Sequence, residues 1–107
     1  MRSKILTTTD ASGGATTSAI FVTDPHCNPF NIGLGLVVTG TVNATVQHSF
    51  DDPQIPGSMT WFPHVSIVTR TVNTDGNYQF PVRAIRLTQN SGNGSCALTV
   101  IQAGLNG

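Results

Sequence analysis

Between Val42 and Phe50 the chain alternates without interruption. Val42, Ala44, Val46, His48 and Phe50 share one side, and Thr41, Asn43, Thr45, Gln47 and Ser49 share the other. A period of two sends successive side chains to opposite faces, so this segment predicts a half-buried β-strand. Phe30 to Val38 repeats the pattern, with Ile32, Leu34, Leu36 and Val38 facing in and Gly33 and Gly35 on the opposite face. Glycines spaced by two leave that face flat, so that another backbone or a bulky side chain can approach closely. Weaker alternation predicts five more segments. Ser18 to Thr23 has either Ala19 and Phe21 or Ile20 and Val22 inward, and Val65 to Val72 has Val65, Ile67 and Thr69 on one face and Val68 and Val72 on the other. Tyr78, Phe80 and Val82 form a strand that Pro81 marks as an edge, and Arg83, Ile85 and Leu87 are expected to pair with Leu98 and Val100 as a terminal hairpin.

The breaks between these runs carry turn chemistry. They are Asp24-Pro25-His26-Cys27-Asn28-Pro29, Gly40, the long loop Asp51 to Ser58, Asn73 to Asn77 with its Asp-Gly pair, and Asn90 to Gly94. Trp61-Phe62-Pro63 is expected to fold back over the sandwich edge. About seven short strands at such spacing predict an all-β chain, a single antiparallel β-sandwich over residues 18–107, with a jelly roll among its possible connections. Residues 1–17, with Thr7-Thr8-Thr9 and Ser12-Gly13-Gly14-Ala15-Thr16-Thr17, show neither strand nor helix period. They read as a flexible N-terminal arm, either one that orders against a neighbour or a disordered tail with no role.

Composition strengthens the all-β reading and adds a constraint on the surface. The chain has fifteen threonines, ten valines and eleven glycines, one lysine and no glutamate. Only 9% of its residues are charged, where soluble domains carry roughly a quarter. A surface so poor in charge stays soluble most easily when a partner or copies of the same chain cover much of it. Five acidic and five basic residues cancel, which excludes disorder by net charge and argues against nucleic acid. After Met1-Arg2-Ser3-Lys4 only Ile5 and Leu6 precede a polar run, short of the apolar core of a signal peptide. The expectation is synthesis in a cytoplasm and no membrane partner. There, Cys27 and Cys96 read as buried thiols, with a disulfide as the lesser alternative.

Candidate chemistry is sparse. His48, Asp51 and Asp52 could hold a divalent metal or form a base with its orienting acid. The structural alternative is stronger: His48 continues its strand face, and the aspartates open a turn before Pro53. His26, His48, His64, Cys27 and Cys96 lack the paired spacing that makes a zinc site credible. No nucleophile elbow, Walker loop or dinucleotide fingerprint is present. Neither a catalytic, a cofactor nor a metal site is therefore expected, nor a small-molecule substrate. Trp61, Phe62, Tyr78 and Phe80 could stack on sugars or dock in a groove, but capping a small core is the simpler role. Arg83 and Arg86 lie on opposite sides of their strand, and one of them must meet solvent, an acid such as Asp51 or Asp52, or a neighbouring subunit.

Four segments carry a family resemblance: Thr41-Val42-Asn43-Ala44-Thr45-Val46-Gln47-His48-Ser49-Phe50-Asp51-Asp52-Pro53, Thr60-Trp61-Phe62, Phe80-Pro81-Val82-Arg83-Ala84-Ile85-Arg86-Leu87, and Ser95 to Gly104. Over roughly residues 30–104 the chain resembles small virion proteins of tailed bacteriophages. The resemblance implies a structural virion component, a small β-sandwich of the kind that serves as capsid cement or decoration. Its implied partners are the major capsid protein and copies of itself, and its implied location is the virion. The family offers no catalytic residues to carry over. A tail- or fibre-associated component and a carbohydrate-binding module are the alternatives.

Overall fold

Strands without helices make up the computed structural model, which describes residues 2–9, 16–23, 31–51 and 59–103. In chain order they are β1 (Arg2–Thr9), β2 (Thr16–Thr17), β3 (Phe21–Val22), β4 (Asn31–Thr39), β5 (Val42–Ser49), β6 (Phe62–Pro63), β7 (Thr74–Tyr78), β8 (Ala84–Gly92) and β9 (Ser95–Ala103). One sheet has the order β1-β9-β4-β7; the other has β2-β8-β5-β6, with β3 also on β8. All pairings are antiparallel. Thr16–Thr17 and Phe21–Val22 face successive parts of β8, so β2 and β3 are halves of one interrupted edge strand. The pairings are nested, first strand with last and so inward to β5 with β6. That order is a long antiparallel ribbon rolled into two sheets, the jelly roll.

The alternating segments supply the core as their periodicity demands. Ile32, Leu34 and Leu36 of β4 meet Leu6, Leu98 and Val100 on one sheet; Val42, Ala44, Val46, Ile85, Leu87 and Phe21 line the other. Burying such a set is the main force holding two sheets together. A polar bridge also crosses the interior. The Thr8 hydroxyl donates to Gln89 Oε1 (3.0 Å) and lies 2.8 Å from the Cys96 sulfur, while Gln89 Nε2 donates to the carbonyls of Gly92 and Gly94. This ties β1 to β8 and to the corner after it.

Six local expectations are corrected. Tyr78, Phe80 and Val82 do not form one strand: β7 ends at Tyr78, and residues 79–83 lie outside any strand. Residues 2–9, read as part of a flexible arm, form a full strand against β9, because Leu6 and Thr8 alternate inward and threonine is a good strand former. Strand structure between Ser18 and Thr23 is confined to Phe21–Val22. Val65 to Val72 is no strand: only Ile67 is buried in the core, and Val65 is 93% exposed. Asp75-Gly76 is not a turn but lies within β7, paired with Gly35 and Leu34. Glycine fits at 76 because a Cβ there would stand 3.0 Å from both His64 Cε1 and Ile67 Cδ1, and these side chains would have to shift. Lastly, β8 and β9 are not a hairpin; they lie in different sheets, and the turn between them is a corner of the sandwich. That corner packs against the one joining β4 to β5, at Gly92 with φ of 108° and Gly40 with φ of 81°. A side chain on Gly92 would collide with the Thr41 carbonyl.

Candidate interaction surface

The outer face of the β1-β9-β4-β7 sheet can be read row by row from its register. Ile5, Thr99, Gly35 and Asp75 form one row; Ser3, Ile101, Gly33 and Asn77 the next; Thr7, Ala97 and Val37 a third; Thr9, Ser95 and Thr39 a fourth. Asp75 is the one ionisable residue on these rows. Ile5 (61% exposed), Val37 (51%) and Ile101 (43%) stand out among hydroxyls and glycines. A shallow groove runs over Gly35 between Val37, Thr99, Asn73, Thr74 and Asp75. The fold does not require its two glycines. Neither takes a positive φ, a Cβ on Gly35 would meet nothing within 4 Å, and one on Gly33 would meet only the Ile101 carbonyl at 3.9 Å. Glycine inside a strand weakens it, so the flatness of this face is a property the fold alone does not explain.

At one end of the sandwich a set of rings closes the core. His48 is buried, with Tyr78 4.9 Å away between centroids, Phe50 at 5.4 Å, Phe80 at 5.7 Å and Phe62 stacked at 5.9 Å. Its Nδ1 lies 2.8 Å from the Tyr78 hydroxyl. Burial, and secondarily the neighbouring His64, hold His48 below the ordinary histidine value, and burial pushes the Tyr78 hydroxyl well up. The pair is thus kept neutral. Phe50, Phe62 and Phe80 each remain about half exposed around it.

His64 is also buried, and its role is structural. Nε2 donates to the Asn77 carbonyl (2.9 Å), while Nδ1 accepts from the backbone amides of Ser66 (3.0 Å) and Ile67 (3.1 Å). One ring thus holds the irregular segment after β6 against β7. The carbonyl of Ile67 in turn accepts from Val46 N, and Ala44 and Arg70 exchange both backbone bonds. This segment covers the side of β5 where the alternation of Val65 to Val72 suggested a regular strand.

The remaining residues singled out from the sequence are dispersed. Asp51 Oδ2 accepts from the amide of Thr60 at 2.6 Å, pinning the two ends of the loop between them. The turn expected before Pro53 falls, with Asp52, His26 and Cys27, outside the described residues. Among the described residues no three of His, Cys, Asp and Glu converge to hold a metal. Cys96 is a free, buried thiol, pushed up chiefly by burial. The Arg86 guanidinium sits 4.2 Å over the Trp61 ring, and its Nε donates to Gln47 Oε1. Arg86 thus meets an aromatic ring and an amide, and Trp61 is largely covered. Arg83 points to the surface. Sequence reasoning missed Ile5, Thr7 and Thr9 as part of a face. The signal was the alternation of Ile5, Thr7 and Thr9 against Leu6 and Thr8, masked by the threonine run. Comparison with known proteins finds no matching family model and no matching curated protein.

Proposed function

We propose that this chain is a structural protein of a bacteriophage virion, a capsid cement or decoration protein that stabilises the head by bridging major capsid subunits. The observation that carries the reading is the flat outer face of the β1-β9-β4-β7 sheet, with two glycines the fold does not need and one charge across four strands. A contact repeated over a shell is weakened by every charge it must desolvate. A face of hydroxyls, glycine and small apolar groups avoids that penalty and lets a second backbone come close. The segment resemblance to small virion proteins supports the same role, and the jelly roll is an architecture used in capsids and lectins alike. The mechanism is steric and cohesive, with no chemical step: the sandwich lies across a subunit junction and resists its opening. The half-exposed rings Phe50, Phe62 and Phe80 favour the second reading, a carbohydrate-binding module that stacks sugars on them.

The test is to mix purified protein with phage heads and, separately, with tails, pellet each and image the particles. Regular density on heads, with raised resistance to heat or osmotic shock, is the expected result. Association with tails alone would move the protein to the tail. Binding to neither particle, together with retention on a glycan column, would replace the virion reading.

A further inference from the structure

The two sheets end in four edges, and three of them are short, interrupted or partly occupied. β6 is two residues long and ends in Pro63, which has no N–H to offer. β2 and β3 are two residues each, interrupted between. β7 has five residues, and its Asn77 carbonyl is already occupied by His64. Short, interrupted or capped edges are the usual defence against unwanted strand pairing. β1 is long and continuous, and its guards are confined to charges at its start, Arg2 and Lys4. It runs eight residues in unbroken register with β9, without proline or bulge, and among the described residues no backbone group bonds to its outer side.

We infer that the outer edge of β1 pairs antiparallel with β1 of a second copy of this chain, across a two-fold axis. Half of the residues in a strand direct their N–H and C=O groups away from the neighbour already paired, and an identical strand run antiparallel matches them along the whole length. Opposed residues in such a pair share a face, so the axis falls at Ile5 or at Leu6. Either choice sets Lys4 opposite Leu6 or Thr8 of the second copy, and the lysine never faces its own counterpart. Ile5, 61% exposed in the single chain, then meets isoleucine or threonine, cross-strand pairs that favour a sheet. A formal net charge of zero leaves no long-range repulsion between copies. The product is one eight-stranded sheet with a continuous outer face. This inference stands on the edge alone and does not rest on the virion reading.

Sedimentation velocity of the purified full chain over a wide concentration range, with no phage material present, tests it. The expected species is a dimer. Ile5→Lys should weaken it about tenfold or more, because the two new lysines lie opposite each other with the axis at Ile5 and diagonal with it at Leu6. Thr7→Lys should do the same only with the axis at Leu6, and so tells the two registers apart. Val37→Lys, on the same face but two strands away, should leave it intact. Circular dichroism melts confirm that each variant folds, and hydrogen exchange should show β1 amides gaining protection as concentration rises. A monomer at every concentration overturns the inference. So does a dimer that Val37→Lys dissociates while Ile5→Lys and Thr7→Lys do not, since that result describes sheets stacked face to face.

Discussion

Replacing Gly33 and Gly35 by alanine separates what the fold needs from what the outer face is for. In a strand interior glycine costs about 0.5–1 kcal/mol relative to alanine, mainly through the freedom it gives the unfolded chain. That gain is realised only where the added methyl group fits. The space over Gly35 is empty to 4 Å, and the nearest atom to a Cβ on Gly33 is a carbonyl oxygen at 3.9 Å, an ordinary contact. The double variant is therefore expected to be more stable by about 1–2 kcal/mol, a rise in Tm of roughly 5–10 °C for a domain of this size. Gly76→Ala is the control, because its methyl group would press on His64 and Ile67 at 3.0 Å. It should lose about 1–3 kcal/mol through overpacking. Urea and thermal melts read the stability, and pelleting with phage heads reads the binding. On the proposed virion role, the glycine pair should gain stability and lose binding to heads together. Lower stability would mean that the face is occupied within the fold, and higher stability with unchanged binding would remove this face from the interaction.

Three further outcomes follow from the buried polar groups. Folded His48 resists protonation because of burial and then His64, so the unfolded chain gains the proton first. Stability present above the ordinary histidine value of about 6.5 should fall as pH drops below it and level off under the depressed folded value. In urea melts at pH 7.5 and 5, the loss should be smaller in His48→Gln, and an equal loss would refute the assignment. His64→Ala strips the acceptor from the amides of Ser66 and Ile67 and should cost about 2–4 kcal/mol in a urea melt; a change under 1 kcal/mol would mean the segment holds without it. Cys96, 2% exposed and with its thiol pushed up, should resist a thiol reagent in folded Cys27→Ser protein and react on unfolding. Rapid labelling of the folded protein would show that the site opens.

The parts of the fold legible in the sequence are those where one strand face is fully buried. β4 and β5 stand out because Ile32, Leu34, Leu36, Val42, Ala44 and Val46 are all in the core, and strict alternation follows from such burial. β1 was hidden because an edge strand needs few apolar residues: Leu6 and Thr8 suffice inward, and threonines fill the outside. Asp75-Gly76 misled because the glycine answers to His64 and Ile67, contacts that arise only in three dimensions. The apparent hairpin of β8 and β9 misled because local sequence gives the turn but not which sheet each strand joins. Of the candidate surface, the alternating glycines pointed to a flat face on β4. The rest of that face depends on the register of three other strands, which no single segment encodes.

The dimensions of the outer face decide how it can bind. Four strands of the lengths seen here present about 500 Å² at ordinary strand spacing and rise. A standard stable interface covers about 800 Å² on each partner. On the proposed virion role, one face of one copy would be a weak ligand for an isolated capsid subunit, and retention on a shell would need a second contact. The proposed β1 dimer provides one by carrying two such faces in a fixed relation, so that once the first is bound the second meets its site at high effective concentration. Ile5→Lys breaks the dimer and also adds a charge to this face, so its loss from heads on dilution should be faster by a larger factor than its affinity for isolated capsid subunits falls. Equal loss from heads, measured by timed pelleting after dilution, would show that avidity through β1 plays no part.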